Sequence, residues 1–203
     1  MTSGLLPLEP VAMHSFWIWF RGIAAPLHAL ATDDDPLLTS VAARLAALHP
    51  DLTFELGPPD GETREFVVSA GGSREAFPAV TALAAAAPDL PRWRVIPFRP
   101  RRVSPERLSV LGLTLSPADV RFELRPEPGG TGILLYIPGY EKNDHARYVA
   151  AAFALLDTAL GEVDVETKLG SVELLPLAGG SGEKAASFLR LPAAFDGLAA
   201  GKN

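Results

Sequence analysis

The residues of this 203-residue chain whose types best suit chemistry are arginines that follow a predicted β-strand. The window Arg92–Arg107 holds six arginines and one acid, a local charge of +5 in a chain of net charge −6. Arginine binds phosphates and carboxylates bidentately, and a helix start adds free backbone N–H groups. These residues predict an anion-binding site, and its members are Gly71, Gly72, Ser73, Arg99 and Arg101. The alternative is that the arginines pair with the protein's own acids.

A strand, helix, strand crossover would position this site. Strands are predicted over 64–70 and 93–98, with a helix between them. Such crossovers are right-handed and make their two strands parallel, so the carboxyl ends of both strands lie on one sheet edge. The glycines and Ser73 follow the first strand, and Arg99 follows the second.

A second polar cluster lies between a predicted strand and a predicted long helix, over Asn143–Leu160, in the C-terminal half. Its members are Tyr140, Glu141, Asp144 and His145. Glu141, Asp144 or His145 could act as a general acid or base. Alternatively, Asn143 or Asp144 caps the helix and the acids complement its dipole. No catalytic residue is assigned.

The first predicted helix carries a third candidate site. Its apolar stripe is predicted to face inward, and the stripe consists of Phe16, Phe20, Ile23, Leu27 and Leu30. Trp17 then projects to another side of the helix, which it shares with Arg21. An exposed tryptophan beside an arginine is typical of a protein interface, so Trp17 and Arg21 are predicted interface residues. The alternative is that Trp17 packs under the N-terminal arm.

Three other patterns predict no site. Asp33, Asp34 and Asp35 are consecutive and cannot converge on one ion, so they indicate capping. The run Gly179–Lys184 lacks the Gly-Lys-Ser/Thr order of a phosphate loop. The four histidines are scattered without metal-ligand spacing. We expect no metal and no cofactor.

The elements predict an α+β single domain over 1–203, with a mixed β-sheet built from two ββαβ units and helices on one face. Residues 1–13 are predicted to form an extended arm. Thr32 or Asp33 is predicted to cap the second helix, and short strands are expected near Leu108, Leu113 and Val163. The predicted parts are a helical hairpin (14–50), a first ββαβ unit (52–98), a second ββαβ unit (119–176) and a loosely packed tail (178–203) with at most a short helix over 183–191.

Composition excludes several classes of protein. A sequence pI near 5.2 argues against nucleic-acid binding by the whole surface. The chain has no cysteine, which removes disulfides and thiolate chemistry. An export signal has Lys or Arg before its apolar region, and none precedes the apolar stretch Val11–Ala25. The stretch is also too short to span a membrane. We expect a cytoplasmic protein that does not bind membranes.

Three segments, FWIWF, AAPDLPRWRVIPFRPR and LLDTALGEVDVETKLGSVELLPL, resemble a group of uncharacterised bacterial proteins. The resemblance implies a compact α+β protein and no particular activity. From the residues we expect a binding or accessory protein that recognises another protein, or a second copy of itself, through Trp17 or an uncovered sheet face. The alternative is an enzyme or binder that acts on a small anionic metabolite.

Overall fold

A computed structural model of the chain describes residues 8–31, 35–58, 62–103, 106–128, 130–177, 182 and 184–200. Packing divides the chain into two compact units, unit 1 (Met1–Arg99) and unit 2 (Pro100–Asn203). Each unit contains helices and a mixed sheet, so the predicted α+β class is confirmed. That the chain forms one domain stays a prediction.

The first helix of unit 1, α1 (Pro10–His28), begins earlier than predicted. Residues 1–13 were expected to be extended, but the helix starts at Pro10, because proline is favoured where a helix N–H has no partner. Pro26 lies in the last turn, and the helix ends two residues after it.

The second helix, α2 (Pro36–Leu48), completes the predicted helical hairpin. Asp35 caps it, since its carboxylate accepts a hydrogen bond from the Leu37 backbone N–H at 2.8 Å. Thr32 and Asp33, which were predicted as caps, lie outside the described residues.

Unit 1 also contains the first ββαβ unit, in the predicted order: β1 (Thr53–Leu56), β2 (Arg64–Ser69), α3 (Phe77–Ala85) and β3 (Trp93–Pro97). The sheet order is β1-β2-β3. β1 pairs antiparallel with β2, and β2 pairs parallel with β3, as the crossover rule requires.

The core of unit 1 lies between the three helices and one face of this sheet. It is aromatic, with the Phe20 ring centred 4.7 Å from that of Phe66 and 5.5 Å from that of Trp93. Burying several large rings together supplies much of the apolar area that stabilises this unit.

Unit 2 begins with a two-stranded antiparallel ribbon at the expected place, β4 (Leu108–Val110) and β5 (Leu113–Leu115). The second ββαβ unit follows: β6 (Arg121–Glu127), β7 (Gly130–Ile137), α4 (His145–Leu160) and, after one further helix, β8 (Leu169–Pro176). β6 and β7 are antiparallel, and β7 and β8 are parallel.

The strand predicted around Val163 is wrong, because this segment is the helix α5 (Glu162–Lys168). Gly161 has a φ of 80°, which permits the chain to turn sharply between α4 and α5. Glu162 and Asp164 in the first turn and Lys168 in the last turn suit the helix dipole.

The loose packing predicted for the C-terminal segment is also wrong for much of it. β9 (Ala186–Ser187) pairs with β6, and α6 (Leu191–Ala200) follows it, later than the helix predicted over 183–191. Phe188 and Phe195 are buried in the core of unit 2. Their apolar area anchors the segment.

The strands form three separate sheets in the described part of the chain, where the sequence predicted one. The orders are β1-β2-β3, β4-β5 and β8-β7-β6-β9. Each crossover places its second strand directly beside its first, β3 beside β2 and β8 beside β7. Each ββαβ unit therefore forms its own sheet.

Candidate functional site

The sheet edge after β2 and β3 has the predicted topology, but Arg99 at this edge already pairs with a carboxylate of the protein. Gly71, with a φ of 60°, follows β2, and a Cβ there would lie 3.2 Å from the Asp51 carbonyl oxygen. Arg99 follows β3 and forms an ion pair with Glu55 of β1. This favours the alternative reading, in which the arginines pair with the protein's own acids.

α3 does not begin directly after Ser73, as the sequence predicted. Ser73 follows Gly72 and makes no side-chain capping bond, and a single turn of 3-10 helix separates it from α3. Its backbone N–H is already used, because it donates to the Ala70 carbonyl at 3.0 Å. Ser73 therefore neither caps α3 with its side chain nor offers a free backbone N–H group to an anion.

Arg101 falls in unit 2, so it and Arg99 belong to different compact units. Its guanidinium donates to Asp164 at 2.5 Å, to Asp196 at 2.9 Å and to the Leu160 carbonyl at 2.6 Å. Burial opposes ionisation, yet the bonds to Asp164 and Asp196 raise the pKa of Arg101. Arg101 therefore ties the start of unit 2 to three of its helices.

The second sheet edge brings its predicted residues close together. The Tyr140 hydroxyl lies 2.9 Å from His145 Nδ1. Asp144, directly before α4, makes no capping bond, and its carboxylate accepts a hydrogen bond from Arg147 at 3.0 Å. Glu141 is exposed and makes no capping bond. The predicted capping role of Asp144 is thus replaced by an ion pair, and the cluster lies on the surface of unit 2.

The exposure predicted for Trp17 is wrong. Its side chain is 2% exposed, and its indole N–H donates to the Leu83 carbonyl at 3.0 Å. The buried face of α1 is wider than the predicted stripe, and Met13 and Trp17 extend it. The spacing of Met13, Phe16, Trp17 and Phe20, in alternating steps of three and one, is the signal that indicates this wider face.

The outer surface of the hairpin is nonetheless apolar. Val11 is 76% exposed and Ile18 is 59% exposed. Trp19 is half-buried, and the guanidinium of Arg44 lies over its ring, 4.3 Å from the ring centroid. The hairpin therefore carries an arginine beside a tryptophan, but the pair is Trp19 and Arg44. In the predicted pair, Arg21 is exposed and Trp17 is buried.

The charge of this surface is unusual for an acidic protein. α1 and α2 contain no Asp or Glu, and Arg21 and Arg44 are their only Arg or Lys residues. The whole chain has 24 Asp and Glu residues. We call the exposed residues of α1 and α2 the hairpin face. Depletion of charge around exposed apolar side chains is typical of the centre of a protein interface.

Sequence reasoning missed a carboxylate at the opposite end of the sheet of unit 2. Glu127 of β6 reaches across Gly132 of β7, where a Cβ would collide with its carboxylate, to Ser171 of β8. Hydrogen bonds from the Ser171 hydroxyl and backbone N–H hold the pKa of Glu127 below its usual value. The glycine in an otherwise apolar strand is the sequence signal for such a close approach.

Replacing Ser171 by alanine is expected to raise the pKa of Glu127, since the hydroxyl donor is lost. A carboxyl group whose pKa is lowered by folding stabilises the protein above its unfolded pKa, and this contribution disappears as the pH falls through the folded pKa. Ser171→Ala should therefore destabilise unit 2 near neutral pH and cost nothing in strong acid. An NMR titration of the glutamate carboxyl carbons measures the shift.

The matched control is Ser109→Ala, which removes an exposed hydroxyl that pairs with Thr114 on the neighbouring strand. Its Glu127 titration should be that of the unchanged protein. An unaltered Glu127 titration in Ser171→Ala would contradict the assigned role of the hydroxyl.

Comparison with family models, curated proteins and solved structures finds no match for this chain. Within the described ranges, no group of three or more His, Cys, Asp or Glu side chains could hold a metal ion. No helix among the described residues is long and apolar enough to cross a membrane.

Proposed function

We propose that this protein is a binding module that recognises another protein chain through the hairpin face. The observation that carries the proposal is the exposure of Val11 and Ile18 on a pair of helices that contain no acidic residue. Water-exposed apolar side chains of this size gain free energy when a partner covers them. The proposed interface is still on α1, but it consists of exposed neighbours of Trp17 and not of Trp17 itself.

The placement of the aromatic residues supports this reading. Trp17 locks α1 onto α3, so the outer side of α1 is presented on a rigid support. Trp19 is held under Arg44, which leaves a tryptophan and an arginine side by side at the junction of α1 and α2. Tryptophan and arginine are among the residues enriched at the positions that dominate binding energy.

In-cell photo-cross-linking tests the proposal. A photoreactive amino acid in place of Ile18 should give a discrete protein adduct, and the same residue in place of Leu189, which is 54% exposed in unit 2, should not. Adding Val11→Glu should abolish the Ile18 adduct, because a carboxylate would be desolvated in the interface. Equal adducts at both positions, or none at Ile18, would refute the proposed interface.

The alternative function is a binder or enzyme for a small anionic metabolite at the second sheet edge. The hydrogen bond between Tyr140 and His145, with Lys142 between them in the chain, supports it. The first-edge version loses support, because Arg99 and Arg101 both have carboxylate partners. Inorganic phosphate should raise the melting temperature of the protein but not of His145→Ala. No phosphate-dependent shift in the unchanged protein would count against this alternative.

We further propose a cytoplasmic location, which the absence of cysteine supports. Bacterial origin is likewise proposed, from the resemblance of the three quoted segments. Fractionation of the source cells, with detection of the protein by antibody, tests the location, and recovery from a membrane or extracellular fraction would exclude it.

A further inference from the structure

We propose that the partner of the hairpin face is a second copy of this chain, bound through an antiparallel pairing of the two α1 helices centred on Ile18. This inference rests on the proposed function and adds the identity of the partner. It predicts a two-fold symmetric dimer in which each α1 contributes the same residues to the contact.

The exposed residues of α1 are arranged symmetrically about Ile18, with a large residue matched by a small one. Val11 lies seven residues before Ile18 and Ala25 lies seven after it. His14 and Gly22 lie four residues to either side. The last pair, three residues to either side, is Ser15 and Arg21, and all of these residues are exposed.

An antiparallel pair with its two-fold axis at Ile18 uses this arrangement. Val11 of one copy faces Ala25 of the other, and His14 faces Gly22. At the axis, the two copies of Ile18 face each other. A Cβ at Gly22 would meet nothing within 4 Å, so there is open space for a side chain of the second copy. Large residues that enter spaces beside small ones give the interdigitation that close helix packing requires.

The charges of α1 also fit a second copy. The helix has no Asp or Glu, so no buried carboxylate would need a partner. The cationic Arg21 faces the neutral Ser15 of the other copy, which avoids opposing like charges. Antiparallel helices also bring opposite ends of their macrodipoles together. A parallel pair would instead align Arg21 with Arg21, so the observations favour the antiparallel arrangement.

Because the chain has no cysteine, single introduced cysteines test this geometry directly. Ile18→Cys should form a disulfide-linked dimer under mild oxidation, since a disulfide requires Cβ atoms about 3.5–4.5 Å apart. The matched control, Leu189→Cys, has similar exposure and should stay monomeric on a non-reducing gel. Chains with both Val11→Cys and Ala25→Cys should cross-link, and each single variant should not.

Gly22→Leu supplies a test without cysteine. The side chain has room in the isolated protein and leucine favours a helix more than glycine does, so the melting temperature of the chain at low concentration should not fall. The leucine would nevertheless fill the space that the second copy needs. Sedimentation velocity of the full chain should show at least about tenfold weaker dimerisation than without the substitution, a loss of affinity typical of one blocked contact.

The outcomes separate the two proposals. Ile18→Cys that cross-links no more than Leu189→Cys, in a protein that sediments as a monomer at high concentration, would overturn the dimer. An in-cell adduct of the Ile18 photo-cross-linker with a different protein would also overturn it, while supporting the proposed function. An adduct with a second copy of this chain would support both.

Discussion

Replacing Trp17 by alanine is expected to lower the free energy of unfolding of unit 1 by about 4 kcal/mol. Trp17 is buried against Phe20 and Phe66, with ring centroids 5.4 Å and 6.1 Å away. The substitution removes this contact area and leaves a cavity, and it also leaves the Leu83 carbonyl without the indole N–H that it accepts at 3.0 Å. Urea unfolding of the full chain, followed by tryptophan fluorescence, measures the loss.

The matched control is the next residue in the chain. Ile18→Ala removes an exposed side chain from the same helix and should change the free energy of unfolding by less than about 0.5 kcal/mol, measured on the monomer. If the two substitutions cost the same, or if Trp17→Ala costs less than about 1 kcal/mol, Trp17 would be a surface residue, as its sequence pattern first predicted.

Replacing Arg64 by methionine is the second prediction with a large expected effect, a loss of about 3 kcal/mol from unit 1. Arg64, 9% exposed, is the first residue of β2. Its guanidinium donates to carbonyl oxygens of Gly57 at 2.8 Å, Leu27 at 3.1 Å, His28 at 3.2 Å and Leu30 at 2.9 Å. The Leu27 and His28 carbonyls lie in the last turn of α1, where a cation also complements the helix dipole, and Leu30 follows two residues after the helix.

Methionine approximates the length of the arginine stem, so the expected loss comes mainly from the hydrogen bonds and the charge. Arg64→Lys should recover part of it, because an ammonium cannot reproduce the planar set of donors. The control is Arg94→Ala, which removes an exposed arginine that pairs with Glu65 and should cost less than about 1 kcal/mol. Comparable losses for Arg64→Met and Arg94→Ala would show that the carbonyl contacts of Arg64 add no stability.

The distribution of aromatic residues permits each unit to be observed separately. All three tryptophans, at 17, 19 and 93, lie in unit 1, and all three tyrosines, at 136, 140 and 148, lie in unit 2. Tryptophan fluorescence therefore reports unit 1, and near-ultraviolet tyrosine circular dichroism adds a signal from unit 2. Trp17→Ala and Arg64→Met should shift the first signal, and Ser171→Ala the second.

Much of the fold could be predicted because the relevant signals are local. The helical periodicity from Phe16 to Leu27 and the strand formers around Phe66 and Val95 each depend on a few neighbouring residues. The parallel pairing of β2 with β3 and of β7 with β8 then followed from crossover handedness alone. The confirmed α+β class is the sum of these local patterns.

The errors arose where local preference is weak or where distant residues compete. The α5 segment contains two valines within seven residues, which favours a strand, but its acids and Lys168 suit a helix that packs on α4. The C-terminal segment is rich in small residues, yet Phe188 and Phe195 suffice to bury it. The spacing of Met13 and Trp17 indicated the wider buried face of α1, but a single predicted stripe left them out. Contacts of Trp17 with Leu83 of α3 and Phe66 of β2 bury this part of the helix.

The sequence by itself determined the helices and strands that a short-range pattern marks, the two crossovers and the excess of arginine over residues 92–107. Tertiary structure alone decided what those residues do. It paired Arg99 with Glu55 and Arg101 with Asp164 and Asp196, buried Trp17 and left Ile18 exposed. The physical reason is that backbone conformation depends on near neighbours, whereas charge pairing and burial depend on which distant side chains meet when the chain is compact.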